Sequence, residues 1–273
     1  MPEMPEVETI ARLLRRSILG KRIVDVRLSG LPLRRPVEAT LPVTLRGRTI
    51  RRIQRRGKYL IVRVEPAAYL LIHLGMSGRI FYPADSSAPA AHTHARIRFS
   101  DSTELHYRDH RRFGLLAAYE VARPGQIPEL KALGVDPLSP GLDVDRIRRR
   151  LQDCRQEIKA FILDQRKIAG VGNIYACEAL FHARIHPARR CCTLTRDEAV
   201  RLVEGIRKAL RSGLRHGGTT FSDFMGADGA PGSNQNYLSV FQREGEKCRR
   251  CRSRIRRLRQ GNRSTFYCPN CQC

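Results

Sequence analysis

The sequence predicts an α+β fold in which strands come first, helices second and a small cysteine-bearing hairpin last. Three observations carry that expectation. Short β-rich runs recur between residues 22 and 122, the apolar period turns helical between 143 and 215, and paired cysteines bracket the last stretch of the chain. Short apolar or alternating runs bounded by turn residues are strand signals, whereas recurrence every three to four residues marks one face of a helix.

Ahead of the strands, residues 6–18 fit one amphipathic helix, with Val7, Ile10, Ala11, Leu13 and Leu14 along its apolar side. Ile23, Val24 and Val26 open the strand series, and residues 59–64 and 70–74 continue it. Residues 95–99 alternate apolar and basic side chains before the turn chemistry of Ser100, Asp101 and Ser102. Strands this short and this closely spaced predict a β-sandwich, with the first helix on its flank. Residues 124–142 are rich in Pro and Gly and read as a linker. Beyond them, Thr195 and Glu198 form a capping box, in which hydroxyl and carboxylate satisfy the first free N–H groups of a helix. Leu202, Val203, Ile206, Ala209, Leu210 and Leu214 then recur at helical spacing. The expected division is an N-terminal domain over 2–123, a linker over 124–142, a helical domain with a mobile Gly-rich loop over 143–232, and a cysteine module over 239–273.

Charge narrows the function. The 273 residues carry 51 Lys+Arg against 26 Asp+Glu, a net +25. A field of that sign attracts polyanions, commonly nucleic acids and anionic membrane surfaces. No apolar run approaches the roughly 20 residues that span a bilayer. The acidic start lacks the basic segment of a signal peptide, so a cytoplasmic protein without a membrane partner is expected. There, cysteines serve as metal ligands or free thiols more often than as disulfides.

Cys248 and Cys251, then 16 residues, then Cys268 and Cys271 make two C-x2-C knuckles. That spacing fits one tetrahedral structural Zn²⁺ held by four thiolates, with a β-hairpin between the knuckles. Four protein ligands leave no open position for a substrate. Residues 243–263 carry ten basic side chains and two acidic ones, which suits contact with phosphates. Cys177 has a helical apolar setting and is expected in the core, and the adjacent Cys191 and Cys192 are candidates for oxidation.

The N-terminus offers a nucleophile. Aminopeptidases remove Met1 when proline follows, which would expose Pro2 as a secondary amine, more of it neutral near pH 7 than a lysine. Its attack on a sugar C1′ would give an iminium ion, an electron sink for base excision and strand elimination. Glu3 and Glu6 could move the protons, although carboxylates also favour a first helical turn for its dipole alone.

Together these segments resemble the formamidopyrimidine-DNA glycosylase family, bifunctional enzymes that excise oxidised purines and nick the abasic site. The likeness runs through MPEMPEVET, Gly57-Lys58-Tyr59-Leu60, His73-Leu74-Gly75-Met76-Ser77-Gly78 and Arg111-Arg112-Phe113-Gly114. It continues through Lys159-Ala160-Phe161-Ile162-Leu163-Asp164-Gln165, Gly170-Val171-Gly172-Asn173-Ile174-Tyr175 and Arg263-Ser264-Thr265-Phe266-Tyr267-Cys268. It implies a helix–two-turn–helix in the helical domain and a zinc finger at the end. It also implies roles: Pro2 as the Schiff-base nucleophile, Glu3 as the acid that opens the sugar, and Glu6 near the active site. Lys58 would assist β-elimination and bind phosphates, and Arg263 would serve δ-elimination and clamp the lesion's phosphate. His92, Arg111, Arg112, Lys159 and Asn173 would contact DNA. Met76, Arg111 and Phe113 would fill the gap left by a flipped nucleotide, which costs a few kcal/mol of stacking. The implied partner is damaged double-stranded DNA, met by a monomer.

Several positions depart from the family pattern. Met4 replaces Leu, His110 a Pro, and Ser222 a Lys or Arg; residues 233–235 lack the usual aromatic, and residues 241–243 vary a Tyr-Gly-Arg run. These changes touch the choice of lesion rather than the strand-cleaving chemistry. Two alternatives stand beside the main reading. An endonuclease VIII-like enzyme for oxidised pyrimidines typically carries Gly at the position of Met4. A non-catalytic DNA-binding relative would have no need of Pro2, Glu3, Lys58 and Arg263.

Overall fold

The structure, a computed structural model, describes residues 1–84, 90–221 and 224–273; Ser222 lies outside the described residues. The chain forms two compact units, Met1–Lys131 with His216–Ser233, and Ala132–Arg215 with Asn234–Cys273.

The first unit begins with helix α1 (Met4–Ser17), whose Val7, Ile10, Ala11 and Leu14 are buried. The sequence expectation started this helix two residues later; Glu3 caps it, and Pro5 is tolerated in the first turn, where no N–H is needed. Strand β1 (Ile23–Leu28), helix α2 (Leu41–Leu45), β2 (Thr49–Arg56), β3 (Tyr59–Glu65) and β4 (Ala68–His73) follow. Then come β5 (Arg79–Ala84), β6 (Thr93–Phe99), β7 (Glu104–Arg108) and β8 (Leu115–Tyr119). They make two antiparallel four-stranded sheets, ordered β1-β6-β7-β5 and β2-β3-β4-β8. Leu60, Val62 and Val64 of β3 share one core with Ile97 and Phe99 of β6 and with Ile10 and Leu14 of α1. Arg63 and Glu65 take the alternate, exposed positions of β3, as a period of two requires. The sandwich with its flanking helix is therefore as the sequence implied. Removing a buried side chain such as Leu14 costs about 2–5 kcal/mol.

The expected linker is not featureless. Helix α3 (Pro128–Lys131) lies within it, and Tyr119 donates to the Glu129 carboxylate at 2.8 Å.

The second unit contains α4 (Val144–Gln152), α5 (Ile158–Leu163), α6 (Asn173–Ala183) and α7 (Arg196–Arg215). The capping box forms as read: Thr195 N–H donates to Glu198 at 2.8 Å, and Glu198 N–H to Thr195 Oγ1 at 3.2 Å. Helices α6 and α7 approach so closely at Gly205 that a Cβ there would lie 2.5 Å from the Ala179 carbonyl oxygen. The unit closes with the hairpin β9 (Arg256–Gln260) and β10 (Arg263–Tyr267). Cys177 lies in a core shared with Phe181, Phe241, Phe266, Cys248 and Cys268.

The sequence expectation places residues 216–232 with the helical domain; in the structure, residues 216–233 cluster with the first unit. Tyr82 N–H donates to the Ala227 carbonyl at 2.8 Å, and Phe224 and Ala227 join the sandwich core. Gly-rich composition marked the segment as a loop without revealing which partners its backbone would find.

Candidate functional site

In the first unit, Pro2, Glu3 and Glu6 are all buried. Glu3 and Glu6 cap each other reciprocally, with Glu3 N–H donating to Glu6 Oε2 at 2.9 Å. The other Glu6 oxygen accepts the Thr219 N–H at 2.8 Å. Glu6 thus ties the N-terminus to the Gly-rich segment 216–233, a link between residues far apart in sequence. With Met1 attached, the Pro2 nitrogen is an amide; losing Met1 makes it an amine.

Lys58 sits in the tight β2–β3 turn, where Arg56 pairs with Tyr59 and Gly57 takes φ +57°. Its side chain is buried, an unusual place for an ammonium unless partners satisfy it. His73 lies nearby, its ring 4.8 Å from that of Tyr59. Burial, then the Lys58 and Arg34 charges, drives the His73 pKa down to about 4, so it is a neutral imidazole near pH 7. Its Nδ1 accepts the Gly75 N–H at 2.9 Å. A cavity of about 270 Å³ is lined by Met1, Arg34, His73, Gly75, Met76 and Phe113. Sequence alone does not single out His73 and Arg34: Gly75 and Met76 follow His73 directly, but Arg34, Tyr59 and Phe113 reach it from distant parts of the chain.

Met76 and Phe113 protrude, 37% and 44% exposed, although large apolar side chains favour the interior. The Arg111 guanidinium stands 4.9 Å from the centre of the Phe113 ring. Gly75 has φ +59°, and a Cβ there would collide with the Phe113 carbonyl, so the two loops pack backbone to backbone. His92 and Arg112 are exposed, and both adopt positive φ, at 63° and 56°. The His92 ring meets that of His110 edge-on, with centroids 6.4 Å apart.

The second unit gathers Lys159, Asn173 and the Arg263 hairpin. Asn173 opens α6 and donates from Nδ2 to the Ser264 carbonyl at 2.9 Å. The two turns before it are braced by Gln165, which donates to the Leu163 and Val171 carbonyls and accepts the Gly170 N–H at 2.8 Å. Arg263 itself is exposed. Lys159, expected to touch DNA, instead turns inward: its buried ammonium donates to Thr265 Oγ1 at 2.6 Å and to the Ser264 carbonyl at 3.4 Å. A cation taken from water needs such partners, and these lie in β10. Thr265 passes the chain on to Gln260 at 2.8 Å, and Gln260 to Glu157 at 2.7 Å.

The four knuckle cysteines converge. All their sulfurs lie within 4.8 Å of one another, with Cys248–Cys271 at 4.0 Å and Cys251–Cys268 at 3.4 Å. Thiolates bound tetrahedrally at about 2.3 Å would stand about 3.8 Å apart, so the set fits one zinc ion. Glu178 was missed from sequence. Its fully buried carboxylate on α6 accepts N–H groups from Ser239, Val240 and Phe241 at 2.8, 2.9 and 3.0 Å, just ahead of the knuckles. Burial pushes its pKa up against the pull of those donors.

Comparison with known proteins follows this layout. Residues 1–116 match the formamidopyrimidine-DNA glycosylase N-terminal domain and residues 133–225 the H2TH domain of the same enzymes. Residues 245–272 match the zinc finger found in FPG and IleRS. A formamidopyrimidine-DNA glycosylase of Methylococcus capsulatus is 43% identical over 100% of both chains. A solved structure of a Lactococcus lactis FPG variant with DNA containing Fapy-dG is 32% identical, with a TM-score of 0.90 and 99% of each chain covered. A MutM structure with DNA containing carbocyclic 8-oxo-G gives the same identity, coverage and score. With the match running from end to end, the chain belongs to the formamidopyrimidine-DNA glycosylase family.

Proposed function

We propose that this protein is a bifunctional DNA glycosylase of base-excision repair that acts on oxidised purines, 8-oxoguanine and formamidopyrimidines, in duplex DNA. The observation that carries the reading is the buried Pro2-Glu3-Glu6 cluster, in which the prospective nucleophile adjoins a carboxylate held by a reciprocal cap. Once Met1 is removed, the Pro2 nitrogen attacks C1′ of a flipped nucleotide, the C1′–base bond breaks with the electron pair leaving on the base, and the proton lost from the Pro2 nitrogen neutralises that base. Glu3 donates a proton to the ring oxygen as the C1′–O4′ bond opens, leaving an iminium between Pro2 and the sugar. Loss of a C2′ proton then expels the 3′ phosphate, and a second elimination expels the 5′ phosphate.

Lys58 serves the first elimination and the adjoining phosphates, and Arg263 the second. The N–H groups that open α6 at Asn173 suit a phosphate as well. Met76, Arg111 and Phe113 fill the vacated stack, and His92 and Arg112 touch the backbone. Lys159 acts from inside, holding the hairpin that presents Arg263. Zinc holds that hairpin's base through Cys248, Cys251, Cys268 and Cys271 and takes no part in the chemistry. The protein works as a monomer in the cytoplasm; no described helix is long and apolar enough to cross a membrane.

The test is incision of duplexes carrying 8-oxoguanine, formamidopyrimidine, thymine glycol or an abasic site. Rapid cutting at the two purine lesions and the abasic site is expected. Preference for thymine glycol would overturn the purine reading, and binding without incision would overturn the enzymatic one.

A further inference from the structure

Asp109 is completely buried, and its carboxylate links three separate pieces of the first unit. Oδ1 accepts the Ser77 hydroxyl at 2.5 Å. Oδ2 accepts the Gly114 N–H at 2.7 Å and the Tyr107 hydroxyl at 3.4 Å. The Ser77 oxygen in turn accepts the Arg111 N–H at 3.2 Å. The residue's own backbone is also fixed: its N–H donates to the His92 carbonyl at 3.0 Å, and its carbonyl accepts from His94 Nε2 at 3.0 Å. The opposite His94 nitrogen meets the Ser29 hydroxyl at 3.1 Å. Burial, reinforced by Asp109, keeps Tyr107 a neutral phenol and hence a donor.

Ser77 follows Met76, and Gly114 follows Phe113. One carboxylate therefore grips the residue beside each protruding apolar side chain, while the Gly75 contact prevents the loops from sliding past each other.

We propose that Asp109 is a positioning residue that couples the Met76 loop to the Arg111–Phe113 loop, so that the wedge enters the vacated stack as one rigid piece. This rests on the proposal that Met76, Arg111 and Phe113 fill the void. Coupling matters only where a stack must be opened. A single-stranded abasic oligonucleotide has no stack to refill, yet it offers the same sugar to Pro2.

Asp109→Asn keeps one acceptor and turns the other oxygen into a donor, so it can no longer accept from both the Ser77 hydroxyl and the Gly114 N–H. The readout is the rate of borohydride-trapped adduct on an 8-oxoguanine duplex, divided by the rate on the single-stranded abasic oligonucleotide. Loss of hydrogen bonding at the Ser77 hydroxyl and the Gly114 N–H should lower that ratio at least about tenfold. A fluorescent base opposite the lesion should also lose its response to wedge entry. Ser77→Ala, which buries no new donor, should lower the ratio in the same direction and carries the test if Asp109→Asn does not fold. A parental ratio in Ser77→Ala and Asp109→Asn, or equal losses on both substrates, overturns the proposal. The double variant Met76→Ala, Phe113→Ala separates the two levels. If it too keeps the parental ratio, the void-filling reading fails and the coupling with it; if it lowers the ratio while Asp109→Asn does not, the coupling alone fails.

Discussion

Replacing Glu178 by alanine tests how the zinc module is held. In the native protein the carboxylate receives three backbone N–H groups, from Ser239, Val240 and Phe241. Each buried N–H left without a partner costs about 1–3 kcal/mol, a gross loss of about 3–9 kcal/mol. Part of this is offset, because the acidic group no longer has to be kept out of water, a cost that shows in its raised pKa. A net loss of about 3 kcal/mol is expected, or about a hundredfold in the opening equilibrium of the segment before the knuckles. The assay is release of zinc to a chromogenic chelator in excess, whose rate follows that opening when reclosing is fast. Glu178→Gln should release faster than the parent but slower than alanine, because the retained Oε1 still serves Val240 and Phe241 while the amide opposes Ser239. Release from Glu178→Ala within twofold of the parent would refute the reasoning.

Two further outcomes follow from the site. His73 has its pKa lowered from 6.5 to about 4, so the unfolded chain binds a proton that the folded one refuses. Stability should therefore fall as pH drops from about 6.5 towards 4, by about 3 kcal/mol in full. Urea titrations at pH 7 and 5 should show the fall, and His73→Phe should flatten it; an equal slope in the variant contradicts the assignment. Elemental analysis should find about one zinc per chain. Chelation should melt residues 239–273 in hydrogen exchange, since ligand-site folding and metal binding are one event; full protection without metal would contradict this.

What could be read from the sequence was local. The Thr195–Glu198 cap, the alternation in β6 and the cysteine spacing are each set within a few residues, and each appears in the structure. The fold class followed because those periods change at identifiable places. What stayed hidden depends on partners distant in the chain. The destination of Lys159 is set by Thr265, 106 residues away. The placement of residues 216–233 depends on Glu6 and Tyr82. Asp109 and Glu178 look like ordinary surface carboxylates in sequence, and only the N–H groups brought to them by folding make them hubs.

The central claim is that the nitrogen of Pro2, freed of Met1, is the nucleophile. Borohydride reduction during reaction with 8-oxoguanine duplex, followed by digestion and peptide mass spectrometry, tests it directly. The account predicts a sugar remnant on an N-terminal peptide that begins at Pro2, with none formed when Met1 is retained behind a tag. A remnant on Lys58 or another lysine, or undiminished trapping by the tagged chain, would contradict it.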